Sequence, residues 1–99
     1  MSSLVVFRRI AKRDLDDATS WYEGRREGLG KEFSLAVEQE IQRIAVSPNQ
    51  FARVRGLVRR AVLRRFPYSI YFVAEEFRVV VVAVFHAKRG PQNLEDRFS

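Results

Sequence analysis

Hydrophobic positions change their period along this chain, and each change marks an element. Leu4-Val5-Val6-Phe7 is a short apolar run between serines and Arg8-Arg9, and predicts a first strand. From Ala11 the spacing turns helical. Ala11, Leu15, Ala18 and Tyr22 share one face, and Trp21 beside them is expected to pack with Tyr22 against a sheet. Asp14, Asp16 and Asp17 lie in the first half of this helix, where they complement its dipole. Gly28-Leu29-Gly30 breaks it. A second helix starts near Lys31, with Phe33, Val37, Ile41 and Ile44 as its apolar stripe and Glu32, Glu38, Glu40 and Arg43 outside that stripe. Ser47-Pro48-Asn49 stops it, because proline forces the preceding residue out of helical backbone.

The remainder reads as strands. Leu57 to Arg65 alternates poorly, which fits a strand flanked on both faces or one carrying a bulge. Phe66-Pro67 ends it, since proline cannot donate to a ladder. Two arms then follow, Tyr68 to Val73 and Phe77 to Arg89, joined at Ala74-Glu75-Glu76. That turn has neither Gly nor Asn, so a loop longer than two residues is expected. Val79 to Val84 is too apolar to face water and predicts a central, covered strand. Gly90-Pro91 closes the last arm, and Gln92 to Ser99 is a polar tail with room for a turn of helix. The order is β-α-α-β-β-β. It predicts one α+β domain over residues 1–99, with a helical hairpin packed on one face of a small antiparallel-rich sheet.

Composition narrows the chemistry. A chain of 99 residues supports one modest core. With no cysteine there are no disulfides, thiolate metal sites or cysteine nucleophile, and one histidine cannot build an imidazole metal site. No Gly-rich phosphate loop is present, so no cofactor is implied. Neither a signal peptide nor a spanning segment is visible, so no membrane association and a cytoplasmic location are expected. Charge is unevenly placed. Residues 1–50 carry eight Lys/Arg against eight Asp/Glu, and residues 51–99 carry ten against four, so the whole +6 lies in the second half. Six arginines and no acid fall between Arg53 and Arg65. Such a segment favours an anionic partner, nucleic acid or acidic polypeptide, unless it is simply a solvated face.

His86 is the one side chain whose ordinary titration suits proton transfer near neutrality, and Arg89 follows three residues later. A guanidinium can hold a phosphate at two points while imidazole moves a hydroxyl proton. The plainer reading is a histidine that hydrogen-bonds a loop carbonyl at the sheet edge. Arg60, Arg64, Arg65, Lys88 and Arg89 are the candidate target- or phosphate-binding cations. Tyr68, Tyr71, Phe72 and Phe85 could stack bases, but helices covering one face of the sheet require most of them as core.

The block Leu63-Arg64-Arg65-Phe66-Pro67-Tyr68-Ser69-Ile70-Tyr71 and the ending Val84-Phe85-His86-Ala87-Lys88-Arg89 resemble the RelE/ParE superfamily of toxins from type II toxin–antitoxin modules. Trp21-Tyr22-Glu23, Gly28-Leu29-Gly30 and Ser47-Pro48 are also similar to its members, so the resemblance covers nearly the whole chain. It implies a β-α-α-β-β-β toxin neutralised by a cognate antitoxin, here expected to be acidic and to form a hetero-oligomer with it. RelE-like members cut mRNA on the ribosome, whereas ParE-like members poison DNA gyrase. Arg89 falls where the ribonuclease branch carries a phosphate-binding arginine. That branch's arginine at the start of the middle strand is replaced here by Tyr68. Its C-terminal catalytic tyrosine has no match either, because Phe98 is the last aromatic. The His-x-x-Arg ending is similar instead to the His-Gly-x-Arg-Asp of ParE-like sequences, with Gly90 in place of the aspartate. The resemblance therefore points to ParE-like inhibition. A ribosome-dependent endoribonuclease, in which His86 and Arg89 would be catalytic, and a non-toxic basic binding domain are the alternatives.

Overall fold

Each apolar face in this chain finds its cover in another, and the computed structural model describes how for residues 2–97. The elements are β1 (Leu4–Phe7), α1 (Arg9–Arg25), α2 (Leu29–Val46), β2 (Arg53–Arg55), β3 (Val58–Val62), β4 (Tyr68–Ala74) and β5 (Arg78–His86), with 3-10 segments at Pro48–Gln50 and Pro91–Arg97. The strands form one sheet in the order β1-β5-β4-β3-β2, with β1 parallel to β5 and the other pairs antiparallel. This is an α+β fold with a helical hairpin on an antiparallel-rich sheet. The valine-rich strand β5 lies inside the sheet, and Val79 through Phe85 are all buried. Phe98, the last aromatic, lies outside the described residues.

Several local features differ from the sequence pattern. The segment expected as one strand from Leu57 to Arg65 is shorter, Val58–Val62, and pairs with an extra edge strand, β2, across a turn at Gly56-Leu57. β2 escaped notice because three residues carry no period. Arg64 and Arg65 consequently sit in the loop before β4. The β4–β5 connection is the three-residue Glu75–Phe77, longer than a two-residue turn as expected. On α2 the buried positions are Gly30, Phe33, Val37, Glu40 and Ile44. The buried stripe thus runs through Glu40, and Ile41 sits half-buried at its rim. Arg43 compensates the Glu40 carboxylate, donating to both its oxygens at 3.1 and 3.3 Å. Trp21, expected against the sheet, is 56% exposed, because Tyr22 takes the inward position.

The hairpin closes tightly for a specific reason. Gly28 turns at φ 86°, a left-handed value that suits glycine, and the Glu23 carboxylate accepts the N–H groups of Gly28 and Gly30 at 3.0 Å each. At Gly30 an added Cβ would lie 2.8 Å from the Thr19 carbonyl oxygen. Two helices can cross this closely only at glycine. Behind the crossing, Tyr22, Phe33, Phe66 and Tyr68 form one aromatic cluster with ring centroids 4.9 to 5.9 Å apart. It joins both helices to the β3–β4 loop and the start of β4.

The opposite face of the sheet is also apolar. Val58, Tyr71, Val80, Val82, Ala83 and Phe85 pack there around the fully buried Leu94 of the C-terminal 3-10 segment. The 3-10 segment Pro91–Arg97 is therefore a lid on the second face. The two faces are not read by simple alternation along β5. Val79, Val81 and Val84 belong to the helix side, whereas Val80, Val82, Ala83 and Phe85 belong to the other. The switch is a bulge: Tyr71 opposes Ala83 and Phe72 opposes Val81, which leaves Val82 as an extra residue.

Two outcomes test this packing. Ile44 is fully buried and Ile41 is not, so Ile44→Ala should lower unfolding free energy by about 2–5 kcal/mol in denaturant titration, and Ile41→Ala by clearly less. The second concerns alkali. Burial holds the Tyr22 and Tyr68 hydroxyls above the ordinary value of 10.0, and for Tyr22 the nearby Tyr68 adds to this. The folded state thus favours the protonated phenols. Their contribution is complete below pH 10, where the unfolded phenols are also neutral, and is lost as pH rises from there through the folded values. Thermal midpoints should fall more steeply above pH 10 in the parent than in Tyr22→Phe, which has no proton to lose.

Candidate functional site

The sequence candidates are drawn to three separate places. His86 ends β5 and stands opposite Tyr68 in the ladder, with the two rings edge to face at 5.2 Å. Beyond it the chain turns sharply. The Ala87 N–H donates to the Pro67 carbonyl at 2.7 Å and the Arg89 N–H to the His86 carbonyl at 2.8 Å. Within that turn the Lys88 N–H donates to His86 Nδ1 at 3.0 Å. The Nδ1 lone pair is thereby engaged by the turn. The expected plainer role, a bond from the ring to a loop carbonyl, is replaced by a bond from a loop amide to the ring.

Arg89 lies close by, its guanidinium carbon 3.9 Å from the centroid of the buried Phe85 ring. His86 and Arg89 share a cleft of about 290 Å³ with Asp14, Asp17, Trp21 and Tyr68. Trp21 gives this cleft a half-open aromatic wall and carries the Arg25 guanidinium at 4.9 Å from its ring. Lys88 is exposed on the turn itself. Tyr68, whose pKa burial raises, keeps its hydroxyl proton at neutral pH and serves as a wall or hydrogen-bond donor.

Arg64 and Arg65 belong to a second place. With Leu63 they line a groove of about 410 Å³ against the α2 residues Glu32, Leu35, Glu40 and Arg43. Arg65 pairs with Glu32, which also receives Arg26 at 3.0 Å. The hydrogen bonds from Arg65 first, and from Arg26, hold the Glu32 carboxyl below its ordinary range. Leu35, 46% exposed, supplies the groove's apolar surface. Arg60 stands in a third place. It shares the parity of Val58 and so rises from the lid side of the sheet, away from His86. Its neighbour Arg59 is structural, donating to the Asn49 and Phe51 carbonyls at 3.2 and 2.6 Å.

The main group that sequence reasoning missed is the pair Asp14 and Arg97. Asp14, read as a dipole partner of α1, instead faces the sheet. Both its oxygens accept from Arg97, at 2.8 and 2.9 Å. Oδ2 also accepts the Val84 N–H at 3.0 Å, while Arg97 Nη1 donates to the Val82 carbonyl at 2.9 Å. No local signal could have joined residues 83 positions apart. Among the described residues, no group of three His, Cys, Asp or Glu side chains could hold a metal ion. No helix there is long and apolar enough to cross a membrane.

Comparisons with known proteins place this architecture. The chain is 22% identical to a chain in the chromosomal ParDE toxin–antitoxin system from P. aeruginosa, with a TM-score of 0.72 over 87% of this chain and 96% of that one. Against the toxin–antitoxin complex RelBE2 from Mycobacterium tuberculosis the identity is 18% and the TM-score 0.60, over 87% and 99% of the two chains. At these identities the likeness is one of fold. No curated protein sequence matches. The model of the ParE toxin of type II toxin–antitoxin systems matches residues 5–91, and the chain accordingly belongs to this family of toxins.

Proposed function

We propose that this toxin arrests growth by acting on DNA gyrase in a ParE-like manner, through the surface around the end of β5, and that a cognate acidic antitoxin neutralises it in the cytoplasm. The observation that carries the choice of mechanism is the hydrogen bonding of His86. Its Nδ1 lone pair is occupied by the Lys88 amide, and its neighbour Tyr68 is a phenol that keeps its proton. A ribonuclease needs an acid and a base at the phosphate. Here one ring nitrogen is committed to the turn, and of the two carboxylates in the cleft Asp14 is already paired with Arg97. A contact surface needs none of this tuning. It needs shape and charge, which His86, Lys88, Arg89 and the half-exposed Trp21 supply. Family membership agrees, since the matching model is that of ParE. One feature favours the ribonuclease instead: His86 and Arg89 do share a cleft with two aromatic walls.

The antitoxin reading rests on charge and on the groove beside α2. Arg43, Arg64 and Arg65 rim an apolar floor that includes Leu35 and Leu63, which suits an acidic amphipathic tail ordering on contact. The resident Glu32 already holds Arg65, so an incoming carboxylate competes with it.

Purified toxin should inhibit supercoiling or trap cleaved DNA with gyrase, and should leave ribosome-bound mRNA intact. His86→Ala should then act mildly, through the turn. Site-specific mRNA cleavage on ribosomes that His86→Ala reduces by about 10²- to 10⁴-fold, and that Arg89→Lys also abolishes, would overturn the gyrase reading. Capture of the antitoxin should be fast and should slow as ionic strength rises. An association rate by stopped flow that ignores salt would remove the electrostatic argument.

A further inference from the structure

β1 ends at Phe7, opposite Val81, and its last contact with β5 is the Arg8 N–H to the Val81 carbonyl at 3.0 Å. Beyond that point β5 has no strand on its outer side. Two of its backbone groups there are nevertheless satisfied by side chains. Val82 C=O receives Arg97 Nη1 and Val84 N–H reaches Asp14 Oδ2, on either side of Ala83, the residue after the bulge. The two side chains are themselves locked in a two-point pair, with only 6% of Arg97 and 13% of Asp14 exposed. Arg97 is held from outside as well: its carbonyl accepts Arg8 Nη1 at 2.9 Å, and its guanidinium carbon lies 4.9 Å from the Phe85 ring centroid.

We propose that Asp14 and Arg97 are positioning residues that hold the bulge in β5 and so keep His86 on the α1 side of the sheet while Phe85, on which Arg89 stacks, stays under the lid. The argument is one of parity. Val79 and Val81 face the helices, so strict alternation would send Ala83 and Phe85 to the helix side and His86 to the lid side. The extra residue reverses this. Val84 and His86 come to the helix face, and Phe85 goes under the lid, where Arg89 can stack on it. A slip of one residue flips every side chain beyond it. Apolar side chains could fill the same space as a buried ion pair without loss of stability. They could not both donate to Val82 C=O and accept from Val84 N–H. Fixing register is a use to which buried polar groups are well suited. That these residues matter to the toxin rests on the reading of the β5 end as its functional surface; the register itself does not.

The test is Asp14→Asn, which keeps the shape but offers one oxygen to three donors, read by NMR and by growth inhibition. In the parent, the Arg89 side-chain protons should be shifted upfield by the Phe85 ring beneath them, and the Val84 amide should exchange slowly. In the variant, with a cooperative melt retained, the Val84 amide should exchange about ten- to hundredfold faster, the Arg89 protons should return towards solvent values, and growth inhibition should fall. Arg97→Lys, which cannot grip both carboxylate oxygens and the Val82 carbonyl together, should do the same and is read alone where Asp14→Asn does not fold. The double exchange Asp14→Arg with Arg97→Asp restores the attraction but gives Val84 N–H no acceptor in place. It should not rescue either NMR signature. Rescue by the double exchange, or unchanged Val84 protection and Arg89 shifts in the single variants, overturns the proposal. If the NMR signatures move while growth inhibition persists, the register device stands and the reading of the β5 end as the toxic surface fails. If the parent itself is not toxic, the NMR comparison decides the proposal alone.

Discussion

A strand covered on both faces has little water to satisfy its backbone, and the rest of this fold is arranged around that constraint on β5. β4 takes one edge of it along its full length. β1 takes the other edge only as far as Val81. Past that point a carboxylate from α1 and a guanidinium from the C-terminal segment stand in for a strand. Unpaired groups buried here would each cost about 1–3 kcal/mol, so the substitute partners are a requirement of the covered strand. The same two side chains bring α1 and the C-terminal segment onto the sheet at one point. A local hydrogen-bonding need thus fixes where two distant parts of the chain must lie.

The helix side is governed by a different interaction, the aromatic cluster of Tyr22, Phe33, Phe66 and Tyr68. Because Phe66 and Tyr68 flank Pro67, the cluster also anchors the loop that presents Arg64 and Arg65. Tyr68 reaches further, since it stands beside His86. Core packing and the basic surface are therefore mechanically continuous. A change at Tyr22 or Phe33 disturbs the cleft by way of Tyr68 without touching any charged residue.

The candidate cations are divided between two surfaces of the molecule. The His86–Arg89 cleft and the Arg64–Arg65 groove lie on either side of the β3–β4 loop, and different helices complete them: α1 for the first, α2 for the second. The two are joined through that loop, whose Pro67 carbonyl accepts the Ala87 N–H in the turn after His86.

The sequence by itself determined the α+β class, both helices, the central place of the valine strand and the length of its turn. Each of these follows from local periodicity, from turn chemistry or from apolar content too high for an exposed strand. It also marked a helix break at Gly28, although α2 begins already at Leu29 rather than near Lys31. What it could not reach were features that exist only once distant parts meet. The centre of the α2 stripe at Glu40 depends on Arg43 covering the carboxylate, and Trp21 yields to Tyr22 because only one of two adjacent aromatics can point inward. The extra strand β2 is too short to carry a period. The bulge at Val82 is invisible in a run of valines, since every residue there suits either face. Its position is set by Asp14 and Arg97, and so the side of the sheet on which His86 emerges was decided by tertiary structure alone.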